Sequence, residues 1–148
     1  MDHKITITCI QQLMEGQSGN VFRGTNKLSD VEAALRALNI DSTSSFGEFF
    51  KRFNLNAVLS PGDYEVLDLI SPSEQILAAT KFAKEIYDLK GDFVALTSGE
   101  DEGFLLYEIG TGCVYDVDVE DLEKLESGDF SPGWNDFYSF VHWYLGEG

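Results

Sequence analysis

The chain has 148 residues, with 26 Asp and Glu against 10 Lys and Arg, giving a net charge of −16. That length suits one domain with a full hydrophobic core and no disulfide or metal staple. The charge disfavours long-range attraction to nucleic-acid phosphate or anionic lipid and favours a basic partner. It is also uneven: residues 92–148 hold 14 acids and one base, net −13, whereas residues 1–91 are net −3. Solubility alone is the plainer explanation of an acidic surface.

Cys9 and Cys113 lack CxxC spacing and are expected to be buried thiols of a reducing compartment. No apolar run reaches 18 residues, and the first 16 lack a secretion signal's apolar core, so a soluble, cytosolic protein is expected.

In chain order, residues 1–27 leave two options open. Residues 5–10 alternate like a strand, yet Ile5, Cys9 and Leu13 would also share a helix face. From Leu28 the signals sharpen. Ser29 with Glu32 has the pattern of a capping box, and Val31, Leu35 and Leu38 follow at helical spacing as far as Asn39. Ser45 with Glu48 repeats the device before a helix whose Phe46, Phe49, Phe50 and Phe53 line one face, with Asn54 ending it. An SPGD turn leads into a strand at residues 64–70. The next helix is capped by Ser71, has Pro72 at its first position and Glu74 closing the box, and carries Ile76, Ala79, Ala83 and Ile86 as a stripe up to Lys90. Gly91 is the expected stop.

The stretch GDFVALTSGEDEGFLLYEIGTGCVYDVD, residues 91–118, predicts a meander of three strands at 92–97, 104–109 and 113–118, parted by glycine-marked turns. The first two runs are apolar on both faces. The third alternates, so Cys113, Tyr115 and Val117 should face a core while Val114, Asp116 and Asp118 face water or a partner. Beyond it, VEDLEKLESGD reads as a short acidic helix or loop. SPGW then introduces a last helix at residues 135–145 carrying Phe137, Phe140, Val141 and Tyr144. The expected architecture is a single α+β domain with a central, mostly antiparallel sheet holding segments 64–70, 92–97, 104–109 and 113–118.

Catalytic signatures are absent: there is no GxSxG elbow, P-loop, GxGxxG after a strand, HExxH or kinase set. His3 and His142 stand at opposite ends of the chain and read as structural or surface residues. A couple between Cys113 and His142 is disfavoured because a thiol facing a core is usually inert. The acids at 116–121 do not have the spacing of an EF-hand, whose sixth and twelfth positions would fall here on Asp121 and Ser127. Neither metal nor cofactor is therefore expected, and the protein is read as a non-enzyme.

The chemistry that stands out is a surface for recognition. Glu100, Asp101 and Glu102 crown the first turn of the meander, and Glu108, Asp116, Asp118, Glu120, Asp121, Glu123 and Glu126 follow closely. Such a field speeds encounter with a cationic protein and penalises wrong partners. Tyr107, Tyr115, Phe130 and Trp134 lie near it as interface anchors or, in the plainer reading, as core residues.

The order of features resembles the SUKH superfamily, the group that includes Syd, the Smi/Knr-type yeast cell-wall regulators and many bacterial immunity proteins. The likeness rests on the early helix pair ending FGEFFKRFN, the meander with its acidic-glycine and TG turns, and the tryptophan-led WNDFYSFVHWYL, and it spans residues 28–145. The usual LP before the first strand-helix segment is missing, and Asn54-Leu55 stands where the family has asparagine-glycine. The resemblance implies an α+β domain and, for bacterial members, immunity: binding a toxin domain, often a nuclease, without performing chemistry. A nuclease is basic where it attracts phosphate, so an acidic inhibitor suits it. The expected partner is a cognate basic toxin domain of a polymorphic or contact-dependent inhibition system, bound by a cytoplasmic monomer. The alternative is a regulatory domain of the same fold that binds an endogenous partner.

Overall fold

Helix spacing settles the N-terminal ambiguity: Ile7–Glu15 forms α1, and Ile10 and Met14, four residues apart, are fully buried. The computed structural model describes residues 7–15, 28–53, 67, 69, 75–98 and 103–144. The expected helix cap at 71–74, the acidic turn at 99–102, His3, Asn54 and most of the strand at 64–70 lie outside the described residues. Cys9 is exposed, beside the buried stripe rather than on it, and Cys113 is half-buried, so the expectation of two buried thiols fails. Neither forms a disulfide.

Helix α2, Leu28–Ala37, starts before Ser29, which lies inside it rather than at the N-cap. Its end is a Schellman turn: Asn39 takes a φ of 60°, and the Ile40 and Asn39 N–H groups donate to the Leu35 and Arg36 carbonyls at 2.9 and 3.1 Å. Helix α3, Ser45–Arg52, is capped one residue earlier than expected, by Ser44, whose Oγ accepts from the Gly47 N–H at 3.2 Å. Just ahead of it, Asp41 accepts from the Thr43 backbone N–H and hydroxyl at 2.8 and 2.7 Å, which holds its carboxyl below the ordinary range. Phe46, Phe49, Phe50 and Phe53 are all at 0% exposure, as their spacing requires.

Helix α4, Gln75–Ile86, buries Ile76, Ala79 and Ala83, but Ile86 is 62% exposed and does not join the stripe. The helix stops at Ile86 rather than Lys90 because Asp88, at a φ of 55°, turns the chain and the Leu89 N–H donates back to the Ala83 carbonyl at 3.3 Å. Thr80, buried within α4, donates to the Ile76 carbonyl at 2.8 Å and accepts from the Ala95 N–H at 2.9 Å. It therefore locks the helix to the outer edge of the sheet.

The sheet is antiparallel in the order β1-β2-β3: β1 is Phe93–Ala95, β2 Gly103–Glu108 and β3 Val114–Asp118. Val94 pairs with Tyr107, Leu106 with Tyr115 and Leu105 with Asp116. The second turn closes through a Gly112 N–H to Glu108 carbonyl bond of 2.8 Å, with Gly112 at a φ of 79° that disfavours any residue with a Cβ. Just past β1, the Leu67 N–H donates to the Leu96 carbonyl at 2.8 Å, though Leu67 itself is not in a strand.

Helices cover both faces. On one, Val94, Leu96, Leu105, Tyr107 and Val114 pack with α1, α2, α3 and the last helix, α6, Phe137–His142. On the other, Phe93, Ala95, Phe104, Leu106, Tyr115 and Val117 pack with α4 and with α5, Leu122–Glu126, which follows a 3-10 turn at Val119–Asp121. The fold is thus α+β, with an antiparallel sheet between two helical layers.

Val114 departs from its expected wet position: it is fully buried because Trp134 forms a bridge to it. The Val114 N–H donates to the Trp134 carbonyl at 2.9 Å, and the Gly133 and Trp134 N–H groups donate to the Val114 carbonyl at 3.0 and 3.1 Å. Trp134 thereby belongs to the sheet edge and packs on Phe140, with ring centroids 5.0 Å apart. Helix α6 begins after it, two residues later than the predicted 135, with Asp136 as N-cap accepting from the Ser139 N–H at 2.7 Å, and runs on as a π turn at 143–144.

Two buried phenols link this framework to pH. Tyr138 donates to Glu48 Oε1 between α6 and α3, and Tyr115 donates to Glu108 Oε1 at 2.9 Å. Burial first, then the adjoining carboxylate, pushes Tyr115 up to about 12 and raises Tyr138 as well. In the unfolded chain a tyrosine loses its proton near pH ~10. A raised folded value means that this stabilisation is complete below that pH and is lost as pH climbs through the folded values. Urea midpoints should therefore fall from about pH 10 toward 12, less steeply for Tyr115→Phe combined with Tyr138→Phe. A flat wild-type profile over that window would contradict the assignment.

Candidate partner-binding surface

The acidic residues of the meander do not form one patch. Directly opposed residues on neighbouring strands share a face of the sheet. Glu108 lies opposite Phe93 and so belongs to the face packed by α4 and α5. Asp116 lies opposite Leu105 and Asp118 opposite Gly103, on the face packed by α1, α2, α3 and α6. The expected surface therefore divides across the sheet.

On one side, Asp116 and Asp118 are exposed where β3 runs past the helical cover, and the chain carries straight on into Glu120 and Asp121. Asp118, Glu120 and Asp121 bring carboxylate oxygens within 4.8 Å of one another. Lys124 reaches Asp121 at 3.7 Å, a solvent-facing pair that offsets little of the field. Asp116 on β3 and Glu123 in the first turn of α5 are exposed on either side of this cluster along the chain.

On the other side, Glu108 is half-buried and held in place. Its Oε1 accepts from the Tyr115 phenol at 2.9 Å and from Thr111 Oγ1 at 2.8 Å. It sits in a cleft of about 480 Å3 whose walls include Phe93, Tyr115, Phe130, Asp92 and Glu126. Glu126 in turn accepts from the Lys90 backbone N–H at 2.8 Å, joining the end of α5 to the approach to β1. Lys90 also lines the cleft, and its exposed ammonium is directed to Asp88 at 3.5 Å.

Tyr107 is not a surface anchor. It is 3% exposed and packed in a tilted arrangement against Phe46, with centroids 4.7 Å apart, and edge-on to Phe137 at 5.7 Å. Alternation puts it on the face opposite Glu108, beneath α3 and α6. Burial raises its phenol above the ordinary value, with a lesser opposing effect from the Ser44 hydroxyl. Tyr115 is 9% exposed, while Phe130 is half-buried against it at 6.5 Å. Glu100, Asp101 and Glu102 lie outside the described residues.

Cys113 donates its thiol to the Asn135 carbonyl at 3.6 Å, and His142 is half-buried at the end of α6. Sequence reasoning put Glu126 in one acidic field with Glu108 but missed Asp92 and the cleft that gathers Asp92 and Glu126 beside Glu108. They are far apart along the chain, and only the return of α5 over the sheet brings them together.

Among the described residues no helix is long and apolar enough to cross a membrane. No protein-family model, no curated protein and no solved structure matches the chain.

Proposed function

We propose that this chain is a bacterial immunity protein that binds and neutralises a cognate, basic, nuclease-type toxin domain by non-catalytic association. The carrying observation is the one-sided charge: net −13 over residues 92–148. Part of that charge is displayed at the end of β3 as Asp116, Asp118, Glu120 and Asp121. A toxin that must hold nucleic-acid phosphate presents the opposite field, and such complementarity raises association rates and selects the partner. The resemblance of the sequence to the SUKH superfamily supports the same reading.

Charge reversal tests it. Asp116→Lys, Asp118→Lys and the double variant should associate more slowly with the purified toxin domain, and their rates should depend less steeply on ionic strength. Either single change at an exposed rim should cost about 1 kcal/mol or less. A carboxylate desolvated in the complex should cost on the order of 2–5 kcal/mol, because its loss strands the partner's charge. Wild-type rates, salt slope and protection of growing cells in all three variants would place the binding face elsewhere.

A further inference from the structure

We infer that the cleft around Glu108 is a receptor for an arginine side chain presented by the basic partner. This rests on the reading of the protein as a binder of such a partner, and adds to it a second contact on the sheet face opposite Asp116 and Asp118. The cleft has room for a side chain, at about 480 Å3. Its chemistry is that of a cation site with a planar preference. Phe93 and Tyr115, nearly buried and at 79° to each other with centroids 6.0 Å apart, line it together with the half-buried Phe130, which supplies most of the ring surface. Phe130 is the most exposed of the three rings, and a guanidinium stacks on an aromatic face as an ammonium does not.

Glu108 supplies the counter-charge already positioned. Both the Tyr115 and Thr111 hydroxyls donate to the same oxygen, Oε1, which fixes the carboxylate in the half-buried wall. Among the described residues its second oxygen, Oε2, accepts no hydrogen bond. A guanidinium donates through several N–H groups in a rigid fork and suits an oriented carboxylate of this kind. Asp92 and Glu126 add negative charge to the walls, and the one lysine at the cleft is directed to Asp88. Holding Glu108 in place before binding reduces the entropy lost when the ion pair forms.

The test needs no toxin. N-acetyl-arginine amide is titrated into the full chain and followed by amide NMR shifts, beside N-acetyl-citrulline amide, which has nearly the same shape without the charge. The arginine compound should give saturable shifts confined to Gly91, Glu108, Gly110, Gly128 and Phe130, and the citrulline compound none. Glu108→Gln should weaken the response about tenfold while its amide oxygen still accepts from Tyr115. Phe130→Leu, which keeps an apolar wall but removes the ring, should weaken it as well and decides the matter if Glu108→Gln does not fold. Absence of localised shifts, equal shifts with citrulline, or wild-type affinity in the folded variants would overturn the inference. The outcomes separate cleanly from the toxin reading: a protein that neutralises the toxin but ignores arginine amide loses only the cleft, and one that binds arginine amide but neutralises no toxin loses only the proposed function.

Discussion

Phe137→Ala should destabilise the protein by about 3–5 kcal/mol, as measured by urea unfolding, because it empties the centre of the larger core. Phe137 is at 0% exposure and its ring lies 5.0 Å from Phe46, 5.6 Å from Phe49, 5.9 Å from Phe50 and 5.7 Å from Tyr107. These neighbours come from α3 and β2, so the ring ties the last helix both to the phenylalanine stripe and to the sheet. Aromatic rings held by several elements cannot all close on the space left by one, and the cavity term adds to the lost transfer energy. The size of the effect is a large share of a typical domain stability of about 5–15 kcal/mol. A loss of less than about 1 kcal/mol would mean that the site collapses readily and the packing is not shared in this way.

Replacing Gly47 by alanine should also destabilise, against the helix scale. Gly47 is inside α3, where alanine is favoured over glycine by about 1 kcal/mol. Yet a Cβ there would lie 2.8 Å from the Ser42 carbonyl oxygen and 2.9 Å from that of Asp41. Both are backbone atoms in a turn held by the Asp41–Thr43 and Ser44–Asp41 hydrogen bonds, so neither moves aside cheaply. Overpacking of this kind costs typically about 1–3 kcal/mol and outweighs the propensity gain. A raised unfolding midpoint for Gly47→Ala would show that the turn yields and the close approach is not needed.

The two variants act on one joint. Phe46 and Gly47 are adjacent in α3: Phe46 contacts Phe137 and Tyr107, while Gly47 lets the Asp41–Ser42 turn lie against the helix. The joint sits beneath the sheet face opposite the Glu108 cleft. Neither variant touches Asp116, Asp118 or the cleft walls, so a folded protein carrying either should keep the affinities of those surfaces.

Local pattern determined much of this protein. The four phenylalanines at 46, 49, 50 and 53 share a helix face in any context, because 3.6 residues per turn puts them there. The β-rich runs at 92–97, 104–109 and 113–118 were legible as three antiparallel strands because glycine-marked turns separate them. The acidity of residues 92–148 needs no structure to be seen. Helix ends were less legible: Asp88, rather than Gly91, ends α4, since an aspartate can take the left-handed conformation when a backbone bond to Ala83 rewards it.

Tertiary structure alone decided which side of each element meets what. Alternation states that Tyr107 and Glu108 point apart, but the pairing register and the helices stacked on each face determine that Tyr107 enters a core while Glu108 lines a cleft. Val114 looked wet from its own strand and is buried because Trp134, twenty residues on, pairs with it. Ile86 looked buried from its own helix and is exposed at that helix's last position. In the first two cases the deciding neighbour is distant along the chain. Periodicity reports which residues share a face, whereas burial depends on what the rest of the chain brings against it.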